Sequence, residues 1–313
     1  MEEKINVIID TDPGIDDAIA LMCAFNSDKL NILLITSAGG NGPIENITAN
    51  AIFLTELFKQ NIPVAQGANK PIVRPAKYAI GAQGANGFGK FKYNKSKLKH
   101  KAVSLEACDA MYEVLRTSKE KTSIISIGPM TNIAKLLINH PDSKDMIKEI
   151  VFESGTKEKI YGIPYKSFNV GYDPEAAEIV FKSGVKLVMV PMELGHFAYL
   201  DHDDIKRFKK ANWIGKIYAK MFDGYRDYHV GDAGAAVHDC CAVYYLTHPE
   251  LMKYEQGYTE IKYYKDEKLD FGYIDTDYTK KPNTTICVDF NIDTFKYDIF
   301  DILENRLKDS GIL

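Results

Sequence analysis

The chain has 313 residues, of which 45% are hydrophobic and 26% charged, and its formal net charge is −4. That length can bury a large core, the composition is that of an ordinary globular protein, and the mild negative balance gives no reason to expect nucleic acid or an acidic membrane surface as a partner. Five cysteines (Cys23, Cys108, Cys240, Cys241 and Cys287) form no CxxC pair, which argues against a disulfide framework and for a reducing compartment.

The first predicted strand, 5–10, starts almost at the N-terminus and has none of the features of a signal peptide. No apolar run approaches the ~20 residues of a membrane span, so a cytoplasmic protein with no membrane partner is expected. The strand runs into Asp10, Asp12, Asp16 and Asp17, within IIDTDPGIDDA, and a helix is predicted over 16–26. Asp and Pro-Gly are common in turns and at helix starts, but four acids exceed what capping requires. Carboxylates crowded at a strand end call for a positive partner, and a hard divalent cation is the usual one.

Further strands are predicted at 31–37, 62–65, 122–127, 149–153 and 186–191, and further helices at 44–59, 104–117, 130–139, 174–183, 201–222, 235–246 and 293–308. Short apolar strands alternating with helices predict an α/β fold with a mainly parallel central sheet. Residues 257–290 alternate and carry turn residues, which suggests a strand pair or an irregular arm before the last helix. No Gly/Ser/Pro-rich linker or repeat divides the sequence, so residues 1–313 are expected to form one domain. Segments 66–103 and 154–173 are rich in Gly, Lys, Asn and Tyr and resist assignment; loops of that length commonly bind ligands.

Three later segments carry polar groups at helix starts. Ile127-Gly128-Pro129-Met130-Thr131-Asn132 leaves a strand through a tight turn and could present the Ile127 carbonyl to a cation. Ser167-Phe168-Asn169 precedes Asp173-Pro174-Glu175, a good helix start, and Asn169 could hydrogen-bond a polyol. His238-Asp239 opens the pattern after Val237, where a cap and a satisfied histidine would be the ordinary reading.

Taken in order, DTDPGIDDA, GPMTNIA, FN…DPEAA and VHD resemble the calcium-dependent nucleoside hydrolases over nearly the whole chain. The resemblance implies a nucleoside hydrolase-like α/β fold and hydrolysis of the N-glycosidic bond of ribonucleosides, with Ca2+ as cofactor and a homodimer or homotetramer as the assembly. It implies Asp12 as general base and calcium ligand, Asp17, the Ile127 carbonyl and Asp239 as further ligands, and Asp16, Asn41 and Asn169 on the sugar. His238 would protonate the leaving base.

The sequence departs from the family pattern on the sugar's 5′ side. Ser167 stands where a glutamate is familiar, Tyr161 where an asparagine is, Gln83 where a histidine borders the base, and Glu153-Ser154-Gly155 where Met-Gly-Gly is usual. Those changes suggest a modified or 5′-altered ribosyl substrate, with Glu153 and Gln83 as substrate contacts. Two other readings are a DxD phosphatase, which Gly14 and the Asp16-Asp17 pair fit poorly, and a sugar- or nucleoside-binding protein with a retained cation site and little turnover.

Overall fold

A computed structural model describes residues 3–156, 165–223, 225, 231–266, 269–309 and 311–312. Its strands are β1 (Ile5–Thr11), β2 (Leu30–Ser37), β3 (Val64–Gln66), β4 (Thr122–Ser126), β5 (Ile147–Glu153), β6 (Leu187–Val190), β7 (Leu200–Asp201), β8 (Gly234–Ala235), β9 (Met252–Lys265), β10 (Asp270–Asp277) and β11 (Thr284–Phe290). The principal helices are α1 (Ile15–Phe25), α2 (Ile44–Leu57), α3 (Ile80–Gln83), α4 (Ala107–Thr117), α5 (Thr131–Asn139), α6 (Phe168–Tyr172), α7 (Pro174–Phe181), α8 (Met192–Phe197), α9 (His202–Ala211), α10 (Trp213–Phe222), α11 (His238–Thr247) and α12 (Ile292–Asp301).

Nine strands form one sheet in the order β10-β9-β11-β6-β5-β4-β1-β2-β3, parallel from β11 to β3. β1 is buried on both faces from Val7 onward, which explains its unbroken apolar run. Val7 and Ile9 pack with α1, α2, α10 and α11 on one face, and Ile8 packs with α4, α5 and α7 on the other. The chain therefore winds outward from β1 through β2 to β3, returns, and winds from β4 to β6 with its helices on the opposite face. Where the winding reverses, the loops after β1 and β4 diverge and leave a crevice at the carboxyl ends of the strands. Ile127 extends β4 at that point, its N–H donating to the Asp10 carbonyl at 2.9 Å.

All six predicted core strands are present. Predicted helix 201–222 is two helices, because Asn212 breaks it and caps α10 by accepting from Gly215 N–H at 2.9 Å. The region 257–290 belongs to three strands, not two: β11 pairs parallel with β6, and β9 and β10 extend the sheet antiparallel. Predicted helix 235–246 begins only at His238, because β8 takes Gly234–Ala235. The last helix passes into a π-helical turn at Ile302–Arg306. No described helix is long and apolar enough to cross a membrane.

Candidate functional site

The loop after β1 turns at Pro13-Gly14 and enters α1, whose first turn carries Asp16 and Asp17. Asp17 does serve as a cap, its Oδ2 accepting from Gly14 N–H at 2.9 Å, while its Oδ1 accepts from the Thr11 hydroxyl. From the far end of the chain, α11 opens on His238 and Asp239 and packs against α1. Oxygens of Asp16, Asp17 and Asp239 all lie within 4.8 Å of one another, and all three residues are buried. Two helix N-termini thus aim at one acidic point, and their partial positive charge offsets some of the repulsion.

Asp12 stands beside this cluster. Its Oδ2 accepts from Asn41 N–H at 2.7 Å, while its Oδ1 is buried with no hydrogen-bond partner. The backbone presses close here: a Cβ on Gly40 would lie 2.1 Å from Asp12 Oδ2, and one on Gly128 2.9 Å from Oδ1. Asn41 also ties the loop together, its Nδ2 donating to the Asp12 carbonyl and to Asp17 Oδ2, each at 3.1 Å. Asp10 lies deeper, its Oδ1 accepting from Thr36 Oγ1 at 2.6 Å and from Asn132 Nδ2 at 2.8 Å.

These acids resist ionising together. Burial, and then the neighbouring charge of Asp17, raise the Asp12 carboxyl well above the usual range. Burial raises Asp239 well above it too, with Asp16 and Asp17 adding to the effect. Burial also pushes Asp10 and Asp17 up to about 7. Such a cluster is satisfied by an opposite charge, and the donors are all oxygens, which suits a hard divalent cation. The orphaned Asp12 oxygen and the converging trio fit such an ion.

The acids open into a cavity of about 370 Å³. Asp12, Asp16, Asn41, Gln83, Ile127, Glu153, Asn169, His238 and Asp239 line it, and Asp17 lies beneath, fully buried. The ten residues expected from the sequence to serve catalysis, substrate or metal therefore sit at one place. Gln83 reaches in from α3, accepting from Ile15 N–H at 2.9 Å and donating to Asp16 at 3.1 Å. Asn169 Nδ2 lies 3.2 Å from the Ile127 carbonyl and 3.4 Å from Glu153 Oε2. Glu153 is 6% exposed, its Oε1 has no hydrogen-bond partner, and burial pushes its carboxyl up to about 7. Ser167 turns away from the cavity and hydrogen-bonds Ser154 at 2.6 Å. Tyr161 lies outside the described residues.

The sequence analysis gave no role to Phe168 and did not point to Tyr165, Met192 or Tyr225, which together give the cavity an apolar, aromatic side. Scattered over loops and two helices, they share no spacing that would have revealed them. Nor did it point to α8, against which His238 rests. The His196 and His238 rings meet edge to face with centroids 4.8 Å apart, and Gly195 leaves the room His238 occupies.

Residues 7–297 match a family model described as inosine-uridine preferring nucleoside hydrolase. The chain is 36% identical to pyrimidine-specific ribonucleoside hydrolase RihA of Escherichia coli O127:H6, over 96% of this chain and 98% of that protein. It is 34% identical to non-specific ribonucleoside hydrolase RihC of Salmonella newport, over 84% and 85%. A solved plant nucleoside hydrolase, the PpNRh1 enzyme, superposes with a TM-score of 0.84 at 25% identity, over 97% of this chain and 100% of that one.

Proposed function

The chain belongs to the inosine-uridine preferring nucleoside hydrolase family and is a ribonucleoside hydrolase that cleaves the N-glycosidic bond, and from this premise we propose that it works with Ca2+ held by Asp12, Asp17, Asp239 and the Ile127 carbonyl. The phosphatase and non-enzymatic readings of the acidic run give way to that membership. The observation that carries the calcium proposal is the convergence of Asp16, Asp17 and Asp239, drawn from positions more than two hundred residues apart. The same convergence supports Asp16 at the edge between the ion and the ribose. A bound calcium supplies a lowered water pKa and a template for two sugar hydroxyls.

The chain's own groups do the rest. Asp12 Oδ1, buried and unengaged, takes the proton of the attacking water. Cleavage builds positive charge on the ribose in an oxocarbenium-like transition state, and the carboxylates of Asp12, Asp16 and Glu153 line the cavity that would hold it. Asn41 fixes Asp12 and Asp17 relative to each other. Asn169 and Glu153 offer a donor and an acceptor to the sugar, and Gln83 sets Asp16. His238, on the cavity wall, donates a proton to the departing base. The aromatic side of Tyr165, Phe168 and Tyr225 suits the flat face of a base.

The 5′ side is where this chain differs from its family's pattern. With Ser167 turned to Ser154, the partnerless Glu153 oxygen becomes the acid facing the sugar, which supports acceptance of a modified or 5′-altered ribosyl compound. The proposal extends to a cytoplasmic homodimer or homotetramer working as a single nucleoside hydrolase-like unit. Five free cysteines support the compartment, and the family resemblance supports the assembly. The test is a screen of uridine, cytidine, inosine and 5′-deoxy analogues for free base and pentose, with and without chelator. Cleavage abolished by chelation and restored by Ca2+ is expected; cleavage indifferent to chelator would overturn the metal assignment.

A further inference from the structure

Away from the cavity, on the outer side of the same two helices, α1 and α11 bring two thiols together. Cys240 Sγ donates to Cys23 Sγ at 3.3 Å. Among the described residues no other pair of sulfurs is in such contact, and all five cysteines are free. Cys240 is 1% exposed, whereas Cys23 is only partly buried. Both line a separate small cavity of about 40 Å³, together with Asn26, Ser27, Thr247 and His248. A molecule the size of water or hydrogen peroxide fits such a space.

We propose that Cys23 and Cys240 form a redox-active pair, which hydrogen peroxide converts to a disulfide that ties α1 to α11 and lowers turnover until a thiol reductant reopens it. Cys23, the more accessible sulfur, attacks as its thiolate. The peroxide O–O bond breaks, one oxygen leaves as hydroxide and takes a proton to become water, and Cys23 becomes a sulfenic acid. The Cys240 sulfur then attacks the Cys23 sulfur, its proton goes to the departing hydroxide, and a second water forms. The two thiols lose two electrons and the peroxide gains them. The hydrogen bond from Cys240 to Cys23 suits this division, because it already places the resolving sulfur beside the attacking one.

The link to function is positional. A disulfide has an S–S distance of about 2.05 Å, so the sulfurs must close from 3.3 Å. Cys240 directly follows Asp239, and Cys23 lies on the helix that carries Asp16 and Asp17. Closing the sulfurs draws the start of α11 against α1 and displaces one carboxylate relative to the other two. A misplacement of about 1 Å in a reacting constellation can cost on the order of 10²-fold in rate.

The experiment treats the purified full chain with hydrogen peroxide, then titrates thiols in denaturant, maps peptides by mass spectrometry and assays nucleoside hydrolysis before and after dithiothreitol. Two of the five thiols are expected to disappear, a Cys23–Cys240 linked peptide to appear, and kcat/KM to fall about tenfold or more and recover on reduction. Cys23→Ser is expected to keep basal activity and resist inactivation, and Cys240→Ser to do the same without forming the linked peptide. Retention of all five thiols, a link between other cysteines, or equal inactivation of Cys23→Ser would overturn the proposal, as would a disulfide that leaves turnover unchanged. The peptide map needs no substrate, so failure of the pair is distinguishable from failure of the proposed reaction.

Discussion

The proposed division of proton traffic between Asp12 and His238 can be tested at each residue singly. Asp12 lines the cavity, and its Oδ1 is buried with no hydrogen-bond partner. Asp12→Asn keeps the shape but removes the base, and is expected to lower kcat by about 10³-fold or more; near-full activity would remove Asp12 from that role. His238→Ala should slow inosine or uridine cleavage by about 10²-fold but spare a nitrophenyl riboside, whose leaving group needs no proton. Equal losses on both substrates would deny His238 the acid role. The acids were legible in the sequence because four of them crowd a strand end, a pattern that needs an electrostatic explanation. Asn132 and Asp173 were not, since a lone polar residue at a helix start reads as a cap. Asp173 is indeed one, accepting from Ala176 N–H at 3.1 Å, but it also holds Ile72 N–H at 3.0 Å and the Thr131 hydroxyl at 2.6 Å. Such long-range partners leave no trace in local spacing.

The elements that position the site are clamped by side chains as much as by the sheet. Asn132, at the start of α5, donates to Asp10 Oδ1 at 2.8 Å and to the Ser37 carbonyl at 3.0 Å, and accepts from Ala68 N–H at 2.9 Å. One amide thereby fastens the ends of β1 and β2 and the loop after β3. Asn132→Ala strands those buried groups and is expected to destabilise the protein by about 1–3 kcal/mol, read as a lower midpoint in urea; an unchanged midpoint would show that water replaces the amide. The core strands were predictable because a strand buried on both faces is an unbroken apolar run. The break at Asn212 and the third strand of 252–290 were not. A capping asparagine inside a continuous helical pattern, and a strand whose partner β6 lies about a hundred residues away, are both decided by tertiary pairing.

Across the whole molecule, the acidic centre makes folding and cation binding depend on each other. An acid whose pKa is higher folded than unfolded stabilises the fold below its unfolded value, about 4, and that contribution is lost as pH rises through the folded value. Burial pushes Asp10, Asp17 and Glu153 up to about 7. Cation-free protein should therefore lose stability between about pH 4 and 7, and Ca2+ should raise Tm more at pH 8 than at pH 5, because the ion binds the ionised acids. A chelated protein whose Tm rises across that window would contradict the linkage. The winding of the sheet brings both halves of the site to one crevice, an arrangement the sequence suggested only through the order of its motifs. The most direct test is calorimetric titration of Ca2+ into the wild type, Asp17→Asn and Asp239→Asn. Wild-type protein should bind one ion per chain, and either substitution should weaken that binding by about a hundredfold or abolish it. Undiminished binding in Asp239→Asn would show that the two ends of the chain do not share a cation.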